Sequence, residues 1–265
     1  MTLLHAIFFG IIQGLTEFIP VSSTAHLLIG QRLFGLIAGD AMFSFLVIVQ
    51  LGTLVSLFVY YWKDLVAILK GVLDFRHATP ERNLGFYILI ATIPALIAGY
   101  LLKDAVETLF LQPMLEASIR LITAAVLLTL AEWLTRKNRS LESMTWLDAL
   151  FIGVMQVIAV FPGASRSGTT IAGGMFRGFD RPSSARFAFL MSVPVMLAAG
   201  AYEMLDVLQM PNLGEFLPLL AAGFITAGIV GWLAIRWLIS YLGKHSLYAF
   251  ATYCAVLSVI TFLLR

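Results

Sequence analysis

The stretch GIIQGLTEFIPVSSTAHLLIG, Gly10 to Gly30, sets Gln13, Glu17, Ser22, Ser23, Thr24 and His26 among residues apolar enough to sit in lipid. An ionisable side chain at bilayer depth costs at least about 2.5 to 3.5 kcal/mol on insertion scales, so it marks a functional site by default. Pro20 breaks the run, and the limb beyond it, Thr24 to Arg32, has only nine residues. At about 1.5 Å per residue that is roughly 13 Å, under half of a hydrocarbon core about 30 Å thick. A second apolar run breaks in the same way at FPGASRSGTT, Phe161 to Thr170, and its following limb, Gly168 to Arg177, has ten residues. Neither limb can cross. Regions 1–36 and 145–180 therefore read as re-entrant helical hairpins with tips near mid-membrane, where broken backbone is tolerated only inside protein or against a wet cavity. Two tilted helices joined by a surface loop are the plainer alternative.

Composition agrees with a membrane setting. Of 265 residues, 60% are hydrophobic and 12% charged, with a mean hydropathy of +0.93, whereas a soluble domain carries about 25% charged residues. Six further stretches, 41–62, 84–102, 117–135, 184–204, 217–239 and 246–264, have the length and apolarity of spans. The net charge of +2 gives no reason to expect nucleic acid, and the single cysteine, Cys254, leaves no intrachain disulfide and reads as a small buried hydrophobe. The polar cluster at Glu17 interrupts the first apolar run, which argues against a cleaved signal and for an N-terminus that belongs to the fold.

Basic residues near span ends favour the cytoplasm. Lys63, Lys70, Arg76, Arg82, Arg136, Lys137, Arg139, Arg177, Arg181, Arg186, Arg236 and Lys244 fall on one side, against Arg32, Lys103, Arg120 and Arg265 on the other. Six spans with this bias place both termini outside. The first hairpin then enters from outside and the second from the cytoplasm, so their tips can meet.

An internal repeat points the same way. At an offset of 143, GIIQ (Gly10 to Gln13) lies over GVMQ (Gly153 to Gln156) and Ser22 over Ser165; at 144, FSFLVIV (Phe43 to Val49) lies over FAFLMSV (Phe187 to Val193). The expected fold is an all-α integral membrane protein: six transmembrane helices plus two re-entrant helical hairpins in an inverted-topology repeat. The chain forms a single membrane domain, 1–265, with a first repeat over about 1–135 and a second over about 145–265.

Gln13 and Glu17 share a helix face, and so do Ser23 and His26 on the next limb. Pro20 ends one helix, and Ser22, Ser23 and Thr24 are good caps for the next, whose N–H groups and dipole suit an anion. The second tip repeats this, with Pro162 and Gly163 breaking the chain and Ser165, Arg166, Ser167, Thr169 and Thr170 following. Two helix N-termini and an arginine converging on one point suggest a phosphate site. A mid-membrane guanidinium needs an anionic partner, either Glu17 or a substrate. Taken singly, Ser167, Thr169 and Thr170 also read as backbone-bonded helix residues, and Gly10, Gly14, Gly173 and Gly174 as close-packing contacts. His5, His77 and His245 lie near expected surfaces. Arg120, Glu132 and Asp148 fall near span ends, where snorkelling or dipole pairing accounts for them.

These residues resemble the undecaprenyl-diphosphate phosphatase family, also called the bacitracin-resistance family, and the likeness covers essentially the whole chain. The family's first motif, Glu or Gln, three residues, then Glu, stands here as Gln13 to Glu17; its second, PGxSRSGxT, stands as PGASRSGTT, Pro162 to Thr170. Gln13 replaces the glutamate of many members, and Ala25 a glycine. The resemblance implies hydrolysis of undecaprenyl diphosphate to undecaprenyl phosphate and inorganic phosphate, recycling the lipid carrier of bacterial cell-wall synthesis and conferring bacitracin resistance. It also implies a divalent cation and, in the bacterial inner membrane, a site open to the outer, periplasmic face. On this reading Arg166 and the helix N-termini, with Gln13, Ser22, Thr24, Ser165, Ser167 and Thr169, hold the diphosphate. Glu17, with Gln13, ligates Mg2+ or Ca2+ or orients His26. Ser23 or a water attacks with His26 as base, or His26 is itself the nucleophile. A homodimer is compatible with the chain. The rival is a secondary transporter or flippase for a phosphate-bearing lipid or anion, which the inverted repeat and broken helices equally suit.

Overall fold

The computed structural model describes residues 1–36, 39–74, 76–102, 112–160, 164–208 and 213–265. Pro162, Gly163 and Lys103 lie outside the described residues. Among those described, eleven α-helices and one short 3-10 turn carry the chain, with no β-pairing beyond an isolated bridge between Arg139 and Phe179. The helices are α1 (Leu3–Phe18), α2 (Ser23–Leu33), α3 (Asp40–Tyr60), α4 (Trp62–Leu73), α5 (Pro80–Leu101), α6 (Pro113–Leu134), α7 (Trp146–Ile158), α8 (Arg166–Phe176), α9 (Arg181–Leu208), α10 (Leu213–Leu242) and α11 (Tyr248–Leu263).

Five of them are long and apolar enough to cross a membrane: Met42–Tyr60 of α3, α5, α6, Arg181–Tyr202 of α9 and Phe216–Leu242 of α10. They coincide with five of the six expected spans. The sixth, 246–264, is α11, apolar but only 16 residues long. At about 1.5 Å per residue it reaches roughly 24 Å, short of the usual crossing length. Helix α4, which packs on α5, is an addition to the expected scheme. It leaves Trp62, Leu69 and Leu73 exposed beside Lys63 and Lys70, the pattern of a helix lying in the interface.

Local chemistry sets the two breaks. Ile19 takes an extended conformation, ψ 131, as the residue before a proline must, and α1 ends there. Ser22 then turns the chain at φ 68 and caps α2, its Oγ accepting from the Ala25 N–H at 3.4 Å. In the second hairpin Ser165 caps α8, accepting from the Gly168 N–H at 3.2 Å. Both short limbs, α2 and α8, have 11 residues.

The hairpins exchange partners. Helix α1 packs along α10, far ahead in sequence, and α7 packs along α5, far behind; α3 meets α9, and α6 meets α11. Glycines permit the first two contacts. A Cβ on Gly10 would lie 2.7 Å from the Gly223 carbonyl oxygen, and one on Gly153 would lie 2.5 Å from that of Ala91. These glycines occupy matching positions in the two hairpins, three residues before Gln13 and Gln156.

Carboxylates near the predicted span ends are corrected from dipole partners to buried hubs. Asp148 is 0% exposed and accepts from Arg139 Nη2 at 2.7 Å and Arg177 Nε at 2.6 Å, fastening both ends of the α7–α8 hairpin to the connection before it. Glu132 accepts from Arg181 at 2.6 and 2.7 Å, and from the Leu247 N–H at 2.8 Å. Arg120 does not snorkel either; it is buried and paired with Glu116 at 2.7 Å.

Candidate active site

Glu17, at the last turn of α1, is the point where the two tips meet. Its Oε2 accepts from Gln13 Nε2 at 2.8 Å and from Ser23 Oγ at 2.7 Å, and its Oε1 accepts from Arg166 Nη2 at 2.5 Å. Gln13 reaches it because i and i+4 are stacked on one helix face; Ser23 reaches it because Pro20 folds the chain back. Arg166 arrives from the second hairpin, 149 residues away in sequence. Glu17 is 6% exposed, while the Arg166 side chain keeps 18% of its surface open and also touches Met196 Sδ at 3.6 Å. A desolvated carboxylate with three donors is a paired charge and not an orphan.

Ser22 sits at a positive φ that only two non-glycine residues adopt among those described. Strain of this kind persists where the surroundings enforce it. Here His26 enforces it: Nδ1 hydrogen-bonds the Ser22 carbonyl at 2.8 Å, and Nε2 pairs with Tyr253 Oη at 2.7 Å, the two rings stacked 5.7 Å apart. Both ring nitrogens are thus engaged away from Ser23 and Glu17. His26, expected beside Ser23 as its base or oriented by Glu17, bonds neither in the resting chain; the group that accepts from the Ser23 hydroxyl is the Glu17 carboxylate.

The remaining expected residues divide by what they touch. Ser165 Oγ is used as the α8 cap and lies 3.4 Å from Ser167 Oγ, and both residues are buried. Thr169 and Thr170 donate to the Arg166 carbonyl at 3.0 and 2.8 Å, so their hydroxyls stiffen the first turn of α8 and do not face the tip. Thr24 is half-buried in the first turn of α2. The first-turn N–H groups of α2 and α8, those of Ser23, Thr24, Arg166 and Ser167, have no intrahelical acceptor, and the side chains of Ser23 and Arg166, which open the two helices, meet at the Glu17 carboxylate. A phosphate placed there would meet a guanidinium, a hydroxyl and two helix N-termini.

No group of three or more His, Cys, Asp or Glu gathers to hold a metal among the described residues. Glu17 is the carboxylate at the tips, and Gln13 adds an amide. That donor set fits a hard cation held through one carboxylate and substrate phosphate oxygens, the usual habit of Mg2+, and not a cage built from protein alone.

The family model described as Bacitracin resistance protein BacA matches residues 6–260. The chain belongs to this family. The BacA-family relatives include the undecaprenyl-diphosphatase of Chlorobium phaeobacteroides (strain BS1), 43% identical over 98% of this chain and 95% of the relative. That of Chlorobium phaeovibrioides (strain DSM 265 / 1930) is 40% identical over 100% and 97%, and that of Mycobacterium leprae (strain Br4923) 38% over 96% and 92%. Around this BacA-family site, sequence reasoning missed Tyr253 and Met196, and it read Arg120 only as a span-end residue, without its partner Glu116. Tyr253 and Met196 look like ordinary members of apolar helices, and nothing in their spacing relative to the motifs signals that α11 and α9 pass the tips.

Proposed function

We propose that the protein is an integral membrane phosphatase that hydrolyses undecaprenyl diphosphate to undecaprenyl phosphate and inorganic phosphate, in a site formed by the tips of two re-entrant hairpins. The observation that carries this reading is the three-donor Glu17 centre joining Gln13, Ser23 and Arg166. The names of the relatives support the substrate. The exchanged packing of α1 on α10 and α7 on α5 supports the inverted repeat, with repeats over about 1–135 and 145–265 and α11 as the sixth span. The distribution of Lys and Arg supports termini and site facing outward from a bacterial inner membrane.

In the resting chain Arg166 is held by Glu17. A diphosphate competes for that guanidinium, whose planar fork suits phosphate oxygens. Once Arg166 turns to the phosphate, Glu17 is left beside the Ser23 hydroxyl, in position to take its proton. Ser23 Oγ attacks the terminal phosphorus, its proton passes to Glu17, and the bond from phosphorus to the bridging oxygen breaks, releasing undecaprenyl phosphate. Glu17 hands that proton to the departing undecaprenyl phosphate; water then attacks the phosphoserine and gives a proton to Glu17, the bond from phosphorus to Ser23 Oγ breaks, and Glu17 returns the proton to Oγ as inorganic phosphate leaves. Arg166 and the N–H groups of α2 and α8 hold the charge spread over the equatorial oxygens. Glu17 and Gln13 would hold a divalent cation, Mg2+ or Ca2+, whose contribution is to neutralise charge on the diphosphate. His26 and Tyr253 fix the turn at Ser22, which places Ser23.

The test is phosphate release from undecaprenyl diphosphate by purified protein in detergent, with no membrane gradient. Steady turnover supports the phosphatase. Binding without turnover overturns it in favour of a transporter or flippase for a phosphate-bearing lipid.

A further inference from the structure

About two turns into α6, inside the bundle, Arg120 Nε donates to Glu116 Oε1 at 2.7 Å, with the residues 7% and 6% exposed. A buried ion pair is a weak source of stability, because desolvation offsets most of the attraction; fixing a register is its best-attested use. What this pair fixes is the second tip. Arg120 Nη1 donates to the Ala164 carbonyl at 3.1 Å, in the segment immediately before Ser165 and Arg166. Helix α6 is itself anchored: it packs along both short limbs, α2 and α8, and Ser118 and Ser258 exchange hydrogen bonds of 2.9 Å between α6 and α11.

The Ala164–Ser165 peptide is planar and trans, so its N–H points opposite to its carbonyl. A carbonyl turned toward Arg120 aims the Ser165 N–H away from α6, and that N–H has no acceptor among the described residues. It stands directly ahead of the N–H groups of Arg166 and Ser167.

We propose that Arg120, locked to Glu116, is a positioning residue that orients the Ala164–Ser165 peptide so that the Ser165 N–H joins the α8 N-terminus as a donor to phosphate. The role in catalysis rests on the phosphatase reading; the orientation does not. A flipped peptide would present a carbonyl oxygen to the anion in place of a donor, and loss of one such donor costs about 10^2 to 10^3 in turnover in other oxyanion sites.

The test removes the pair together, as Glu116→Leu/Arg120→Met, so that no unpaired charge stays buried. Amide hydrogen exchange of a peptide covering 160–170 is compared with peptides from α6 and α3, and kcat and KM on undecaprenyl diphosphate are measured in the same detergent, together with inhibition by inorganic pyrophosphate. Exchange tenfold faster at the tip alone, with kcat/KM down tenfold or more and weaker pyrophosphate inhibition, is the expected result. Arg120→Lys, which keeps one donor for the Ala164 carbonyl, should recover most of both. Unchanged tip exchange overturns the proposal, as does faster exchange throughout the chain or a loosened tip with wild-type kcat/KM. Wild-type protein inert toward the diphosphate would count against the phosphatase, while the exchange comparison still decides the positioning.

Discussion

His26 hydrogen-bonds Tyr253, 227 residues away, and turns its other nitrogen to the Ser22 carbonyl. The histidine therefore braces the turn that presents Ser23. A brace is worth less than a base: His26→Ala should lower kcat by about tenfold, whereas loss of an essential base reaches about 10^2 to 10^4. Tyr253→Phe should cost less than His26→Ala. Steady-state kinetics of both variants decide this, and a fall of 10^3 or more for His26→Ala would restore it as the base.

Arg166→Lys should lose about 10^2-fold or more of kcat/KM on the diphosphate, because a point ammonium cannot reproduce the bidentate grip on phosphate that draws Arg166 away from Glu17. Near-native kinetics in folded protein would remove Arg166 from the phosphate.

How far these contacts could be read in advance differs from residue to residue. Glu17 and Arg166 were legible as site residues, because charge at bilayer depth is costly and needs a partner, although the sequence left Arg166 to pair with either Glu17 or a substrate. Five spans were legible from apolar length, and the end of α1 from Pro20. Direction within the tip was not: spacing places Ser23 and His26 on neighbouring turns of one helix, and only the strained φ of Ser22 and the passage of Tyr253 decide that His26 looks away. The hub at Asp148 was also hidden, since its two arginines come from segments that pair only after the second hairpin folds.

The buried amide of Gln156 illustrates the same limit. It matches Gln13 by the repeat, but position 160 holds valine where the first hairpin has Glu17, and neither Nε2 nor Oε1 finds a hydrogen-bond partner among the described residues. An unsatisfied buried polar group costs about 1 to 3 kcal/mol. Gln156→Leu should therefore raise the thermal midpoint of the resting protein in detergent; a lower midpoint would mean that the amide is satisfied.

Close packing at the matched glycines should be equally sensitive in both halves. Gly10→Leu and Gly153→Leu each push a side chain into a facing backbone carbonyl, and overpacking of this kind costs about 1 to 3 kcal/mol. Thermal unfolding in detergent should show both midpoints depressed, and tolerance of either would contradict the close approach at that hairpin.

Sidedness can be read at the tip itself. Ser23→Cys in a Cys254→Ala background should react with a membrane-impermeant thiol reagent added outside, and inorganic pyrophosphate should protect it. Labelling from the cytoplasmic face alone would reverse the topology.

The mechanism stands on attack by Ser23, whose hydroxyl donates to the same Glu17 carboxylate that Arg166 holds. Its most direct measurement is the kcat of folded Ser23→Ala on undecaprenyl diphosphate. The expected fall is about 10^3-fold or more, the size that loss of a covalent nucleophile demands. Retention of more than about a tenth of wild-type kcat would contradict it and leave the attack to water.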